Sequence, residues 1–229
     1  MNILMVLTSH SAMGDSGKLT GLWLEEFVSP YYSFLDNGAA ITLASPAGGH
    51  PPIDPRSTEP DSQTDATRRF QQDAAAQAKL AHTSPLPAIS ADDFDALFFP
   101  GGHGPMWDLA SSEAVARLVE AFWNQGKVIG AVCHGPAALV QAKDSQGNSI
   151  LNGRSLTAFT NAEEAAVQLD HLVPFALESR LVDLGGRFSQ AEPFQPHVVT
   201  DGNLITGQNP PSSEQTAEAV LAALNRVPA

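Results

Sequence analysis

The chain holds a single cysteine, Cys133, and the residue after it is His134. A thiol and an imidazole in sequence supply a nucleophile and a group able to take its proton. The apolar run Lys127 to Val132 reads as a buried strand, and the residues from Cys133 to Leu139 read as the start of a helix. Cys133 therefore falls at a strand-to-helix junction. Ala131 lies two residues before it and Gly135 two after it. A nucleophile held on such a sharp turn leaves no room for large neighbours, although the usual signature has Gly at the earlier position. A thiol at a helix N-terminus is expected to be drawn toward thiolate by the oriented N–H groups. The backbone N–H groups of the turn, helped by those of Gly101 and Gly102, are candidates to hold an oxyanion. The competing reading of a lone cysteine is a small buried hydrophobe. The small flanking residues and the adjacent histidine favour chemistry.

The elements that must position these residues alternate between strand and helix. Ile3 to Leu7, Ala40 to Ala44, Phe94 to Phe99 and Lys127 to Val132 read as short apolar strands. Helical spacing runs over Lys18 to Leu35, interrupted by Pro30, and over Thr67 to Lys79 and Met106 to Asn124. Ser155 to Phe159 reads as a strand, followed by helices over Asn161 to Leu169 and Pro174 to Leu184. His197 to Thr200 and Asn203 to Thr206 flank Asp201-Gly202 as a hairpin, and Thr216 to Leu224 closes the chain as an amphipathic helix. Ser45 to Asp65 is rich in Pro, Gly, Asp and Ser, a long loop of the kind that often carries function.

The alternation predicts an α/β fold with a mostly parallel central sheet and helices on both faces. It reads as one domain over 1–229, with small cap elements within 161–195. Ligands of such sheets bind beyond the carboxyl ends of the strands. Ser9-His10, Gly101-Gly102-His103-Gly104 and Cys133-His134-Gly135 all fall there.

Composition narrows the class. The 25 acidic residues outnumber the 12 basic ones, giving a formal charge of −13, which repels phosphate backbones and anionic lipid. Neither a nucleic-acid nor a membrane partner is expected. One cysteine makes no internal disulfide, and the N-terminal apolar run is too short for a signal peptide, so the expected compartment is the cytoplasm. His50, His82, His171 and His197 are scattered without metal-ligand spacing, so no metal site is expected. The glycine run at 101–104 lacks the Lys-Ser/Thr of a phosphate cradle and the spacing of a dinucleotide site, and no cofactor is expected.

Six stretches taken together resemble the ThiJ/PfpI superfamily. They are Gly21-Leu22-Trp23-Leu24-Glu25-Glu26 before Pro30; Ala47-Gly48-Gly49 with Pro52-Ile53-Asp54-Pro55; Pro100 to Asp108; Ala131 to Pro136; Phe159-Thr160 with Glu163-Glu164; and Thr206 to Pro210. Their order and spacing are most similar to the glutathione-independent glyoxalase (glyoxalase III) branch, related to heat-shock chaperone-like proteins. The resemblance implies a flavodoxin-like three-layer sandwich with a nucleophile elbow, the fold of class I glutamine amidotransferases. It implies conversion of methylglyoxal to lactate without glutathione or metal, in a homodimer. By that resemblance Cys133 attacks the aldehyde and His134 moves a proton between the two carbons. Glu26 matches the family's early glutamate beside the nucleophile; a carboxyl against a thiolate is expected to keep its proton. Glu164 is the expected third member, with Glu163 as the alternative. Adjacent helical residues diverge by about 100°, so one of the two reaches His134. His103 and Trp107 belong to the loop facing the elbow and are expected to line the pocket, while His10 has no assigned role.

Two other readings stay open at this level. One is a cysteine-dependent amidase or peptidase, although the only late histidine, His197, lacks the His-Pro-Glu of glutamine amidotransferases. The other is a stress chaperone or oxidation sensor whose thiol is oxidised rather than turned over.

Overall fold

The computed structural model describes residues 1–226. In chain order the first half contains β1 (Asn2–Val6), α1 (Leu24–Asp36), β2 (Ala40–Ser45), α2 (Asp65–Gln72), α3 (Ala74–Ala81), β3 (Ser84–Pro85), β4 (Ala96–Phe99), α4 (Glu113–Asn124) and β5 (Val128–Val132). The second half contains β6 (Ser155–Leu156), α5 (Asn161–Ala166), α6 (Leu177–Asp183), β7 (Arg187–Phe188), β8 (Val198–Asp201), β9 (Leu204–Gly207) and α7 (Ser213–Leu224). Seven strands form one sheet in the order β3-β2-β1-β4-β5-β9-β8, parallel throughout except for the final β8–β9 pair. β6 and β7 make a separate two-stranded sheet. This is the flavodoxin-like α/β sandwich expected from the alternating pattern.

Both faces of the sheet are buried, and the alternation of side chains divides the core in two. Ile3, Met5, Phe98, Val128 and Val132 point to one side, where they meet Phe27, Val28 and Phe34 of α1 and Ala217 and Val220 of α7. Leu4, Val6, Leu97, Phe99, Ile129 and Ala131 point to the other, against Val115, Val119 and Phe122 of α4. Strands that are apolar on both faces cannot be placed at a sheet surface, which is why the central four read as continuous hydrophobic runs.

The element boundaries depart from the sequence pattern where side chains compete for backbone groups. The expected helix over Thr67 to Lys79 is two helices, because the Asp73 carboxylate accepts from the N–H groups of Ala75 and Ala76 at 3.1 and 3.0 Å and starts α3 afresh. The helix expected from Met106 starts at Glu113, where Ser112 accepts from the Val115 N–H at 3.3 Å. Conversely, α1 runs through Pro30 without interruption. The lost N–H bond there is offset by the burial of Phe27, Val28, Tyr31 and Phe34 around it. Residues 18–23, expected to be helical, lie outside α1, with Leu19 and Leu22 in isolated β-bridges and Trp23 extended. The strand expected over Ser155 to Phe159 covers Ser155–Leu156 alone. In the hairpin, Asp201 pairs with Leu204, so the turn residues are Gly202 and Asn203 rather than Asp201 and Gly202. Asp201 instead accepts from the Ser155 N–H at 2.7 Å, tying the small sheet to the large one.

β5 delivers Cys133, and its packing leaves little tolerance. A Cβ on Gly130 would lie 2.6 Å from a Phe98 ring carbon and 2.7 Å from Val220. Gly130→Ala should therefore force α7 away from the sheet and cost about 1–3 kcal/mol, read as a lowered urea midpoint with unchanged slope.

Candidate active site

Sheet order reverses between β1 and β4, and the loops that leave the carboxyl ends of β4 and β5 meet beside this switch point. β5 ends at Val132, and Cys133 takes φ +59°, the left-handed region that a side chain other than glycine rarely enters. The strain is held from both sides: the Cys133 N–H donates to Gly207 at 2.9 Å, and its carbonyl accepts from Phe159 at 3.0 Å. Gly135 is required next, because any Cβ there would collide with the carbonyl oxygen of Phe99. The turn is thus the sharp elbow that Ala131 and Gly135 foretold.

Beyond the elbow the winding differs from the expectation. Residues Gly135–Leu139 form a five-residue 3₁₀ turn rather than the start of an α-helix. No developed dipole faces the thiol. Burial pushes the Cys133 pKa well above its usual value, and the neighbouring Glu26 carboxyl pushes it the same way. Cys133 is 4% exposed, so burial works against the drift toward thiolate expected from the N–H groups of the turn.

The proton acceptor lies in line. Sγ of Cys133 is 3.3 Å from Nδ1 of His134, and Nε2 of His134 is 2.6 Å from Oε2 of Glu164. The other oxygen of the same carboxylate, Oε1, is 2.6 Å from Nε2 of His103. Burial alone would raise the Glu164 pKa, but His134 and His103 together hold it far below the usual carboxylate range. An ionised acceptor at 2.6 Å requires an N–H on each facing nitrogen, and that pairing turns Nδ1 of His134 toward the thiol. The imidazoles of His103 and His134 lie 4.0 Å apart between centroids, and Phe159 covers His134 at 4.6 Å. Burial pushes the His103 pKa down to about 4, with His134 acting in the same direction.

The structure separates the two adjacent glutamates. Glu164 faces the histidines. Glu163 accepts four bonds: from the N–H and hydroxyl of Thr160, both at 2.9 Å, and from Phe194 N–H and Asn209 Nδ2, both at 2.8 Å. It closes a capping box on α5 and pins two later loops to it.

Glu26 enters from the first turn of α1 and is fully buried beside Cys133. The extended residues Gly21 to Trp23 place it there by bonding to the loop after β4. Trp23 N–H donates to Gly101 at 3.2 Å, and Gly104 N–H donates to Gly21 at 3.3 Å. Gly101 sits between the Glu26 carboxyl and the His134 backbone, with no space for a Cβ. The polar neighbours of Glu26 are the Cys133 thiol and the N–H groups of Gly101 and Gly102, yet neither carboxyl oxygen completes a regular hydrogen bond among the described residues. Burial pushes its pKa up to about 8. The N–H groups expected to face an oxyanion are thus directed at a protonated carboxyl.

Cys133, His134, Glu26, Glu164, His103, Gly101 and Gly102 are therefore brought together. Trp107 is half-buried and stacks on His10 at 5.0 Å, which gives that histidine a packing role. Arg56 went unmarked in the sequence. It forms a forked pair with the buried Asp54 carboxylate at 3.0 and 2.6 Å, and its Nη2 comes within 3.5 Å of His103 Nδ1. The signal available was its place in the long loop beside Asp54-Pro55. The spacing of histidines also hid a cluster: donor atoms of His103, His134 and Glu164 lie within 4.8 Å of one another, close enough for a shared cation. The partners do not suit one, since a metal-bound Nε2 wants an acceptor at the opposite ring nitrogen, and His103 has the Arg56 guanidinium there.

Residues 20–223 match the DJ-1/PfpI family. "Glyoxalase 3" of Candida albicans is 28% identical over 97% of this chain and 98% of its own length. Among solved structures, the Rapid Encystment Protein 24 KDa of Francisella tularensis is 40% identical with a TM-score of 0.92, covering 97% of this chain and 98% of that one. Glyoxalase III from Candida albicans superposes with a TM-score of 0.89 at 28% identity, covering 97% of both chains.

A buried carboxyl without a completed hydrogen bond makes stability depend on pH. The folded pKa of Glu26, about 8, exceeds its ordinary value of 4.5. Its favourable contribution is complete below 4.5 and is lost as pH rises to about 8. Glu26→Gln has no proton to lose. Its unfolding free energy relative to the natural chain should therefore climb between about pH 5 and 8, at up to about 1.4 kcal/mol per pH unit, and level off above. Urea titrations across that range measure it.

Proposed function

The chain belongs to the DJ-1/PfpI family, and we propose that it is a glutathione-independent glyoxalase, an enzyme that converts methylglyoxal or a similar 2-oxoaldehyde to the 2-hydroxy acid. The observation that carries this reading is the unbroken line from Cys133 Sγ through both ring nitrogens of His134 to Glu164, at 3.3 and 2.6 Å. The chemistry named for the Candida albicans relatives supports it.

The steps are set by the protonation states. Cys133 is a thiol, so attack on the aldehyde carbon passes its proton to Nδ1 of His134 while the new S–C bond forms. Glu164 offsets the charge on the imidazolium. The aldehyde oxygen becomes the hydroxyl of a hemithioacetal by taking that proton from Nδ1 of His134, which returns the imidazole to its neutral form while Glu26 keeps its own. Neutral His134 then removes the hydrogen of the former aldehyde carbon and returns it to the neighbouring carbonyl carbon through an enediol. The product of that shift is a thioester of the hydroxy acid. Water cleaves it, releasing the acid and restoring the thiol. No electrons leave or enter from outside, and the thiol that other glyoxalase systems take from glutathione is supplied by Cys133.

A cysteine only 4% exposed weighs against a peroxide sensor, which calls for an accessible thiolate. It suits a nucleophile activated only when its substrate is in place. The same family reading extends to a homodimer in the cytoplasm, for which sedimentation velocity would give twice the 24.1 kDa chain mass.

Chelator-treated protein incubated with methylglyoxal, with no added thiol, should form lactate, and Cys133→Ser should form none. Lactate at the natural rate from that variant would overturn the proposal. Glu164→Gln should lower kcat by roughly 10²-fold or more and also lose about 1–3 kcal/mol of stability, because its amide NH2 opposes one of the two imidazole N–H groups. Glu163→Gln should lose about 1–3 kcal/mol of stability as well, its amide meeting donors where the carboxylate accepted them, but should change kcat far less.

A further inference from the structure

We propose that Arg56 is a positioning residue of the site: it faces Nδ1 of His103 with a guanidinium, fixing His103 as the neutral Nε2–H tautomer, and so keeps the His103–His134–Glu164 cluster from taking up a divalent cation.

The geometry of three successive pairs leads to this. Asp54 is fully buried and wholly engaged: its carboxylate accepts from the Thr20 hydroxyl at 3.0 Å, from the Arg56 backbone N–H at 3.0 Å, and from Nε and Nη2 of the guanidinium at 3.0 and 2.6 Å. The forked pair leaves the guanidinium one orientation. The loop carrying Asp54 is itself fixed, since Asp54 N–H donates to Leu22 at 2.9 Å and Leu22 N–H donates to Pro52 at 2.8 Å. The plane of Arg56 also lies against Trp23, 5.8 Å from the ring centroid. In that pose Nη2 reaches His103 Nδ1 at 3.5 Å.

A guanidinium carries only donors and does not lose its proton. Nδ1 of His103 must then present a lone pair, because a proton there would oppose an N–H. The opposite nitrogen, at 2.6 Å from an ionised carboxylate, must carry the proton. The charged and titratable groups around the ring all agree with this state: Glu164 on α5 accepts, Arg56 on the 45–65 loop donates, and His134 on the elbow stacks beside it, with Cys133 beyond. Glu164 thereby receives one N–H on each oxygen and is held in the orientation that His134 needs. Without Arg56, His103 can take the Nδ1–H tautomer and free its Nε2 lone pair beside Glu164, and a cation seated there would complete its set by displacing the Nε2 proton of His134. Three such donors within 4.8 Å would bind zinc.

The inference concerns the same site as the proposed glyoxalase reaction, but its test reads tautomers and zinc rather than turnover. Absence of lactate would sink that function and leave this inference standing. Protein labelled with ¹⁵N-histidine is observed at pH 7 by two-bond ¹H–¹⁵N correlation, with His103 assigned by the loss of its signals in His103→Gln. The natural chain should show His103 neutral and protonated at Nε2. An Nδ1–H or doubly protonated ring in the natural chain overturns the proposal, whatever the variants do. Arg56→Met and Arg56→Gln should shift His103 away from that single tautomer, and Arg56→Lys should restore most of it. Zinc titrated calorimetrically should bind the Met variant at least tenfold more tightly than the natural chain, with the gain abolished in Arg56→Met/His103→Gln. Equal zinc affinity in natural and Met proteins overturns the cation-rejecting role.

Discussion

One carboxylate shared by two imidazoles sets the terms for everything around it. Glu164 is ionised in a region nearly closed to water, and it stays so because both of its oxygens accept an N–H at 2.6 Å. Remove either donor and a buried anion is left partly unsatisfied, a state that costs far more than an exposed one. The neighbourhood is built to keep this arrangement rigid. Thr160 and Glu163 cap the helix that carries Glu164, Asn209 and the backbone of Phe194 hold Glu163, and Phe159 lies over the histidine that the carboxylate serves. Two adjacent glutamates thus divide their work cleanly: one fixes the helix end, the other projects into the site.

The opposite wall obeys a different constraint, that of close approach. The elbow, the loop after β4 and the extended strap before α1 come so near one another that side chains are excluded at the contact points. Gly101 and Gly135 occupy two of these, each opposed by backbone atoms that cannot move aside. This closeness is what brings Glu26 to Cys133 without leaving room for water to hydrate it. The result is a pairing of opposites within one site. On one side burial pushes the pKa of an acid and of a thiol up, and on the other a dense set of donors holds the pKa of an acid down.

The sheet and the elbow were legible in the sequence because they depend on local information: apolar runs with both faces buried, and small residues flanking a turn. The choice between Glu163 and Glu164 was narrowed to one dipeptide by helical geometry and family resemblance, and only tertiary contacts from residues 194 and 209 resolved it. Gly135-Pro136-Ala137-Ala138-Leu139 is compatible with either winding, and its tight 3₁₀ form is set by packing against β4 and α4. Arg56 carries no sequence signal for a related reason. Its importance lies in a buried partner two residues away and a histidine 47 positions along the chain, neither of which has a periodic signature.

The burial of the thiol also bears on how such a protein is found. Chemoproteomic surveys rank cysteines by how fast they are alkylated by electrophilic probes, and that rate rises with the fraction already present as thiolate. Cys133 is 4% exposed, and burial pushes its pKa well above the usual value. A haloacetamide is attacked at a methylene carbon, where no oxyanion develops for the surrounding donors to stabilise. A ranking built on intrinsic reactivity would place this residue among the inert structural cysteines, and its chemistry would come to light only with a small aldehyde as the bait.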